Sequence, residues 1–108
     1  MEIKISDGAL YYGDKILRPL QTSIVQAEKV GQLIIVREDY FKYKGSSIYA
    51  TDLNLKVIWE AEIPDFNDDT YSGSFVVKNN TIVCYSWNGI ECELSIEDGK
   101  IRASRLTK

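Results

Sequence analysis

The sequence contains no histidine. Its absence removes the usual proton shuttle near neutral pH, the Ser-His-Asp and Cys-His nucleophile systems, and most zinc sites. Cysteine is scarce, with only Cys84 and Cys92. No Gly-rich phosphate loop is present: the seven glycines, at 8, 13, 31, 45, 73, 89 and 99, are dispersed and each suits a turn. No apolar run approaches the ~18 residues that a membrane-spanning helix needs. The opening Met1-Glu2-Ile3-Lys4-Ile5 has no signal-peptide h-region. These absences give the expectation of a soluble, cytoplasmic chain that is not an enzyme and carries no cofactor. Asp and Glu are plentiful enough for a two-carboxylate glycosidase site, but nothing singles out a pair.

What is present points to one all-β domain spanning 1–108. The apolar fraction of 44% argues against disorder. Seven Tyr, two Trp and three Phe favour strands, where flat side chains pack on a pleated surface. The net charge of −3 argues against a nucleic-acid partner, because phosphate binding is driven by Lys and Arg.

Along the chain, Ile3 and Ile5 alternate with charged residues before an Asp7-Gly8 turn. Ala9–Tyr12 and Ile16–Leu20 read as short strands separated by Gly13-Asp14-Lys15. Thr22–Glu28 has some helical spacing, but it is too short for a helix and is read as a strand. Leu33–Val36 is a β-branched run of the kind found in central strands. Arg37–Ser46 is a polar, aromatic-rich loop in which Tyr40, Phe41 and Tyr43 are expected to fold onto the core. Further strands are expected at Ser47–Thr51, Lys56–Ile63, Ser74–Lys78 and Lys100–Leu106. The pattern predicts an antiparallel meander of about ten short strands.

The best-specified hairpin runs from Ile82 to Ile96. Asn88-Gly89 predicts a two-residue type I′ turn, whose central residues both need φ > 0. That register puts Val83, Tyr85, Trp87, Ile90, Cys92 and Leu94 on one apolar face, continued by Ile96, and marks them as core. It also points Cys84 and Cys92 to opposite faces, which excludes a disulfide. A three-residue turn would set the thiols opposite each other and put the apolar row out of phase.

The segment 48–59 can be laid on 91–102, at an offset of 43 to 44 residues, about one four-stranded propeller blade. Tyr-Ala-Thr-Asp-Leu-Asn-Leu-Lys-Val-Ile-Trp at 49–59 resembles the blade motif of quinoprotein-type β-propellers, with Leu55 where that motif has Gly. The likeness extends over residues 33–103 and is weaker at 92–102, where Ile101-Arg102-Ala103 lacks the Trp. It implies propeller-blade-like sheets packed as a sandwich or half-open barrel. It implies no quinone site, since that ligand sits in the channel of a closed ring and no residue here matches a ligand motif.

Charge is unevenly placed. Between Lys56 and Lys78 there is no cation, while Glu60, Glu62, Asp65, Asp68 and Asp69 all fall there. Phe66 and Tyr71 lie in the same stretch. Asp65–Thr70 begins like a calcium loop but has Thr70 and Val76 where Gly and Glu belong, and reads as a solvated turn. An acidic surface with aromatic anchors suits a basic protein partner. The candidate contact residues are therefore Glu60, Glu62, Asp65, Phe66, Asp68, Asp69 and Tyr71. The short acidic β chain, with its Asp98-Gly99-Lys100 turn, also resembles small bacterial immunity proteins. That implies a toxin domain, commonly a basic nuclease, as the partner. Two other readings stay open: a propeller-like subunit that oligomerises through an exposed sheet edge, and a carrier of a small ligand in a β pocket.

Overall fold

The computed structural model describes residues 2–39, 46–64 and 70–106. It is all-β among these residues, with eleven strands: β1 (Ile3–Ser6), β2 (Ala9–Tyr12), β3 (Lys15–Leu17), β4 (Ile24–Val30), β5 (Leu33–Glu38), β6 (Ile48–Thr51), β7 (Val57–Glu60), β8 (Tyr71–Lys78), β9 (Thr81–Ser86), β10 (Ile90–Ser95) and β11 (Ile101–Leu106). Each strand pairs antiparallel with its sequence neighbour in one of three meanders, β1–β3, β4–β7 and β8–β11. The segment with mixed helical and strand character is β4. The repeat seen in the sequence maps the β6–β7 pair onto the β10–β11 pair, the third and fourth strands of the two four-stranded sheets.

The sheets pack face to face in chain order, with β4–β7 in the middle. Side chains alternate across a strand, and in β5 and β6 both sets are buried. Ile34, Val36 and Tyr49 meet Leu10, Ile24 and Leu55 in one cluster, toward β1–β3. Ile35, Ile48 and Ala50 meet Tyr71, Phe75, Ile82, Cys84, Cys92 and Leu94 in the other, toward β8–β11. Burying one such aliphatic side chain contributes ~1.5–3 kcal/mol, so a strand buried on both sides must be apolar throughout, as Leu33–Val36 is.

Polar tethers fix how the sheets meet. Glu38, fully buried at the end of β5, accepts main-chain N–H bonds from Leu20 (2.6 Å), Gln21 (3.0 Å) and Thr22 (3.0 Å), and the Tyr49 hydroxyl donates to it at 2.6 Å. The connection from β3 to β4 is thereby wrapped around one carboxylate. Gln26 on β4 donates through Nε2 to the Phe75 carbonyl (2.9 Å), and its Oε1 accepts the Phe75 N–H (3.1 Å). It fills the gap where β8 departs from regular pairing between Ser72 and Val76 and joins the first strands of the second and third sheets. Trp59 reaches from β7 to donate its indole N–H to the Ile96 carbonyl (3.2 Å). Its ring lies against Gly99, where any Cβ would overlap it.

The hairpin register differs from the two-residue expectation. Tyr85 pairs with Glu91, Cys84 with Cys92 and Ile82 with Leu94, which leaves a three-residue turn, Trp87-Asn88-Gly89. The Gly89 N–H donates to the Ser86 carbonyl (3.0 Å), and within the turn only Gly89 takes a positive φ, 85°. This is a type I turn closed by a left-handed glycine, a geometry that Asn-Gly fits as well as type I′. The type I′ turn lies instead at Asn79-Asn80 (φ 50° and 64°), between paired Lys78 and Thr81. The one-residue shift flips β9. Ile82, Cys84 and Ser86 are buried, Val83 is partly exposed, and Tyr85 and Trp87 are 42% and 76% exposed. Cys92, Leu94 and Ile96 keep their expected buried places, and Ile90 is half-buried. Cys84 and Cys92 therefore face each other on the core side, with no disulfide between them. Burial pushes the Cys84 thiol well above its ordinary pKa, and the neighbouring Cys92 adds to the shift.

Candidate binding surface

The acidic stretch divides into parts with different roles. Glu60 is exposed on β7, across from Tyr49. Glu62 is also exposed but occupied. Its Oε1 accepts the Ile101 N–H (2.8 Å), its own N–H donates to the Gly99 carbonyl (2.9 Å), and its carbonyl accepts the Tyr71 hydroxyl. It fastens the end of the second sheet to the third. Tyr71 is a core residue, 1% exposed. Burial pushes its phenol far above the ordinary tyrosine pKa, with the Cys84 and Cys92 thiols contributing. It cannot serve as a contact anchor in this fold, because the strand parity of β8 turns it inward. Asp65, Phe66, Asp68 and Asp69 lie outside the described residues, as do Tyr40, Phe41 and Tyr43.

The exposed aromatic anchor is Trp87, which the sequence reading placed in the core. It lies in the β9–β10 turn with three quarters of its surface in solvent. The turn is held on two sides. Gly89 closes it internally, and the Trp87 N–H donates to the Thr70 carbonyl at 2.8 Å. Thr70 directly follows the acidic segment in the chain and directly precedes β8. The Ile90 N–H also donates to the Ser86 hydroxyl (3.2 Å). An exposed tryptophan on a turn fixed by two main-chain bonds and one bond to a serine hydroxyl loses little conformational freedom when it is covered.

The outward face of β8–β11 is a second exposed feature. Register places Val76, Val83, Glu93 and Ala103 in one cross-strand row and Ser72, Tyr85, Glu91 and Arg105 in the next. Val76 is 49% exposed. Arg105 meets Glu91 at 2.7 Å, a surface pair of the kind worth ~0–1 kcal/mol. The hydrogen bond and charge of Glu91 also raise the Tyr85 phenol pKa. A shallow depression there, lined by Glu91, Glu93, Ala103, Ser104 and Arg105, holds about 50 Å³. Small-molecule pockets commonly hold ~300–1,000 Å³, so it gives the ligand-carrier reading no support. Among the described residues no three His, Cys, Asp or Glu side chains come together as metal ligands, and no helix is long and apolar enough to cross a membrane.

The signal that could have moved Trp87 outward was the cysteine pair. Free Cys ranks with the most buried residue types. Counted as apolar, Ile82 and Cys84 match Val83 and Tyr85, and the turn type alone then has to decide between the faces of β9.

The chain was compared with protein families and with curated proteins. The model of a family described as Domain of unknown function (DUF7957) matches residues 1–106. No curated protein matches the chain.

Proposed function

We propose that this chain, which belongs to the DUF7957 family of domains of unknown function, is a non-enzymatic protein-binding module, and specifically an immunity protein that occludes a basic bacterial toxin domain. The observation that carries this reading is Trp87, exposed on a turn tied to the end of the acidic stretch. Tryptophan is the residue type most enriched among binding hot spots, and carboxylates around such an anchor steer a basic partner and reject acidic ones. Trp87 supplies the buried contact in the complex, and Glu60 with the aspartates at 65, 68 and 69 supplies the field. Binding covers the toxin's substrate groove and involves no bond making by this chain.

Gene order and survival test this directly. The reading expects a toxin-delivery gene immediately upstream. It also expects that co-expressing this chain keeps cells alive when that gene's C-terminal domain is induced. Survival should fall with Trp87→Ala or Glu60→Lys while the level of folded protein stays unchanged. An unrelated metabolic operon upstream, or protection that ignores both substitutions, contradicts it.

A further inference from the structure

The register of β9 and β10 that turns Trp87 outward also brings together the only two cysteines of the chain. Cys84 and Cys92 stand directly opposite each other in the antiparallel pair. Opposed residues of such a pair have Cα atoms ~4.5–5.5 Å apart, and disulfides span Cα separations of ~4.4–6.8 Å. Both side chains point to the core face, and the Cys84 thiol reaches the Cys92 carbonyl at 3.9 Å. Both thiols also lie within hydrogen-bonding reach of one group, the Tyr71 hydroxyl, which itself donates to the Glu62 carbonyl. Backbone register, side-chain direction and a shared neighbour thus set the two sulfurs side by side. They come from the two arms of the Trp87-Asn88-Gly89 turn, so a bond between them would close the Tyr85–Glu91 segment into a covalent loop.

Neither sulfur meets solvent in the folded chain. Cys84 is 1% and Cys92 0% exposed, and both sit in the cluster between the second and third sheets. Thiolates, not thiols, attack disulfides, and burial moves the Cys84 thiol further from ionising. Exchange therefore needs the third sheet to lift from the second, a local opening of the kind that domains undergo at less than the cost of full unfolding. The same cover protects the bond once it has formed.

We propose that Cys84 and Cys92 form a redox latch: a small soluble disulfide, oxidised glutathione, converts the facing thiols into a cross-strand disulfide that the fold accommodates and that clamps the hairpin carrying Trp87. In the opened chain one cysteine thiolate attacks a glutathione sulfur, forms a mixed disulfide and releases one glutathione thiolate. The second cysteine thiolate attacks the protein sulfur of that mixed disulfide, forms the Cys84–Cys92 bond and releases the second glutathione. Two electrons pass from the protein to glutathione, and the two thiol protons end on the two glutathione molecules. The Tyr71 hydroxyl loses the S–H groups beside it and keeps its bond to the Glu62 carbonyl. Bridging a hairpin removes freedom chiefly from the unfolded chain, so the oxidised form is the more stable one. The latch stands apart from toxin binding, because its readouts involve this chain alone.

Mass spectrometry of the full-length chain after incubation with oxidised glutathione tests it, with N-ethylmaleimide added in urea to count the remaining thiols. The expected product is lighter by two hydrogen atoms, takes up no maleimide and carries no glutathione. It should form slowly in native buffer and faster in urea below the unfolding midpoint. Its near-ultraviolet circular dichroism should match that of the reduced chain. Its melting temperature should be higher, and should return to the reduced value after dithiothreitol treatment in urea. Cys92→Ser should show no such loss of hydrogen. A wild-type chain that keeps two maleimide-reactive thiols in both buffers, or that stops at glutathione adducts, overturns the inference. So does an oxidised chain that melts below the reduced one or has lost the native dichroism, because the fold then excludes the bond.

Discussion

Glu38 shows how much one side chain can determine in a domain of this size. Its two oxygens receive three consecutive main-chain N–H groups and a phenol, all within 2.6–3.0 Å. An amide in its place keeps one acceptor and turns two donors toward the Leu20–Thr22 backbone. Hydrogen bonds to a buried charge contribute ~1.5–3 kcal/mol each, and stranded partners add their desolvation cost. Glu38→Gln should therefore lower stability by about 2–4 kcal/mol in urea denaturation, and a change below ~1 kcal/mol would show that the wrap does not depend on the charge. Nothing near position 38 in the sequence announces this role. Its partners lie 16 to 18 residues earlier and are main-chain groups, so the residue reads as the start of a polar loop. Tyr71 and Trp87 teach the converse. Both were legible as aromatics, but Tyr71 falls in a strand that starts three residues before the expected Ser74–Lys78, and the facing of Trp87 depends on a register that one extra turn residue inverts.

At the level of elements, the meanders were legible because periodicity and turn residues carry them. Leu33–Val36 announces a strand buried on both sides, and 48–59 repeats at 91–102 because both segments build the outer hairpin of a sheet. The way the sheets meet was less legible, since it rests on long-range contacts such as that between Trp59 and Gly99. Gly99 has φ 73°, and a Cβ there would overlap the Trp59 ring. Gly99→Ala combines left-handed strain with overpacking and should cost about 2–4 kcal/mol. Its tryptophan emission should shift as the Trp59 ring is pushed off the β10–β11 turn. The Asp98→Ala control removes only the Lys100 N–H bond (3.0 Å) and should stay within ~1 kcal/mol of wild type. If the two variants unfold alike, Gly99 serves the turn alone.

Across the whole molecule, the core stores a pH dependence of one sign. Burial raises the pKa of Cys84, Tyr49 and Tyr71 in the folded chain. Unfolding frees a thiol that titrates near ~8.5 and phenols near ~10. Below those values both states hold their protons and the stability is fully present. Above them the unfolded chain loses protons that the folded chain keeps. The unfolding free energy should therefore be level from neutral pH to about 8.5 and then fall, more steeply past about 10, by up to ~1.4 kcal/mol per pH unit for each group. Urea midpoints between neutral pH and pH 11 check this. Cys84→Ser should reduce the first part of the decline and leave the second, whereas a flat profile would mean that these groups are solvated in the folded state. At this scale the proposed partner binding rests on the net negative charge of the chain and on one exposed tryptophan, Trp87, held on a fixed turn. The sequence already held the acidity and the β architecture, while the tryptophan's place required the turn geometry.

The central claim, partner binding through the Trp87 surface without chemistry, is tested most directly by calorimetric titration of the chain into the toxin domain encoded beside it. The account predicts a saturable complex with one toxin domain per chain, weakened by added salt. Trp87→Ala should cost about 2 kcal/mol or more, roughly thirtyfold in Kd, at an unchanged melting temperature. Binding of unaltered strength by the Trp87→Ala protein, or no heat at all from the wild type, would contradict it.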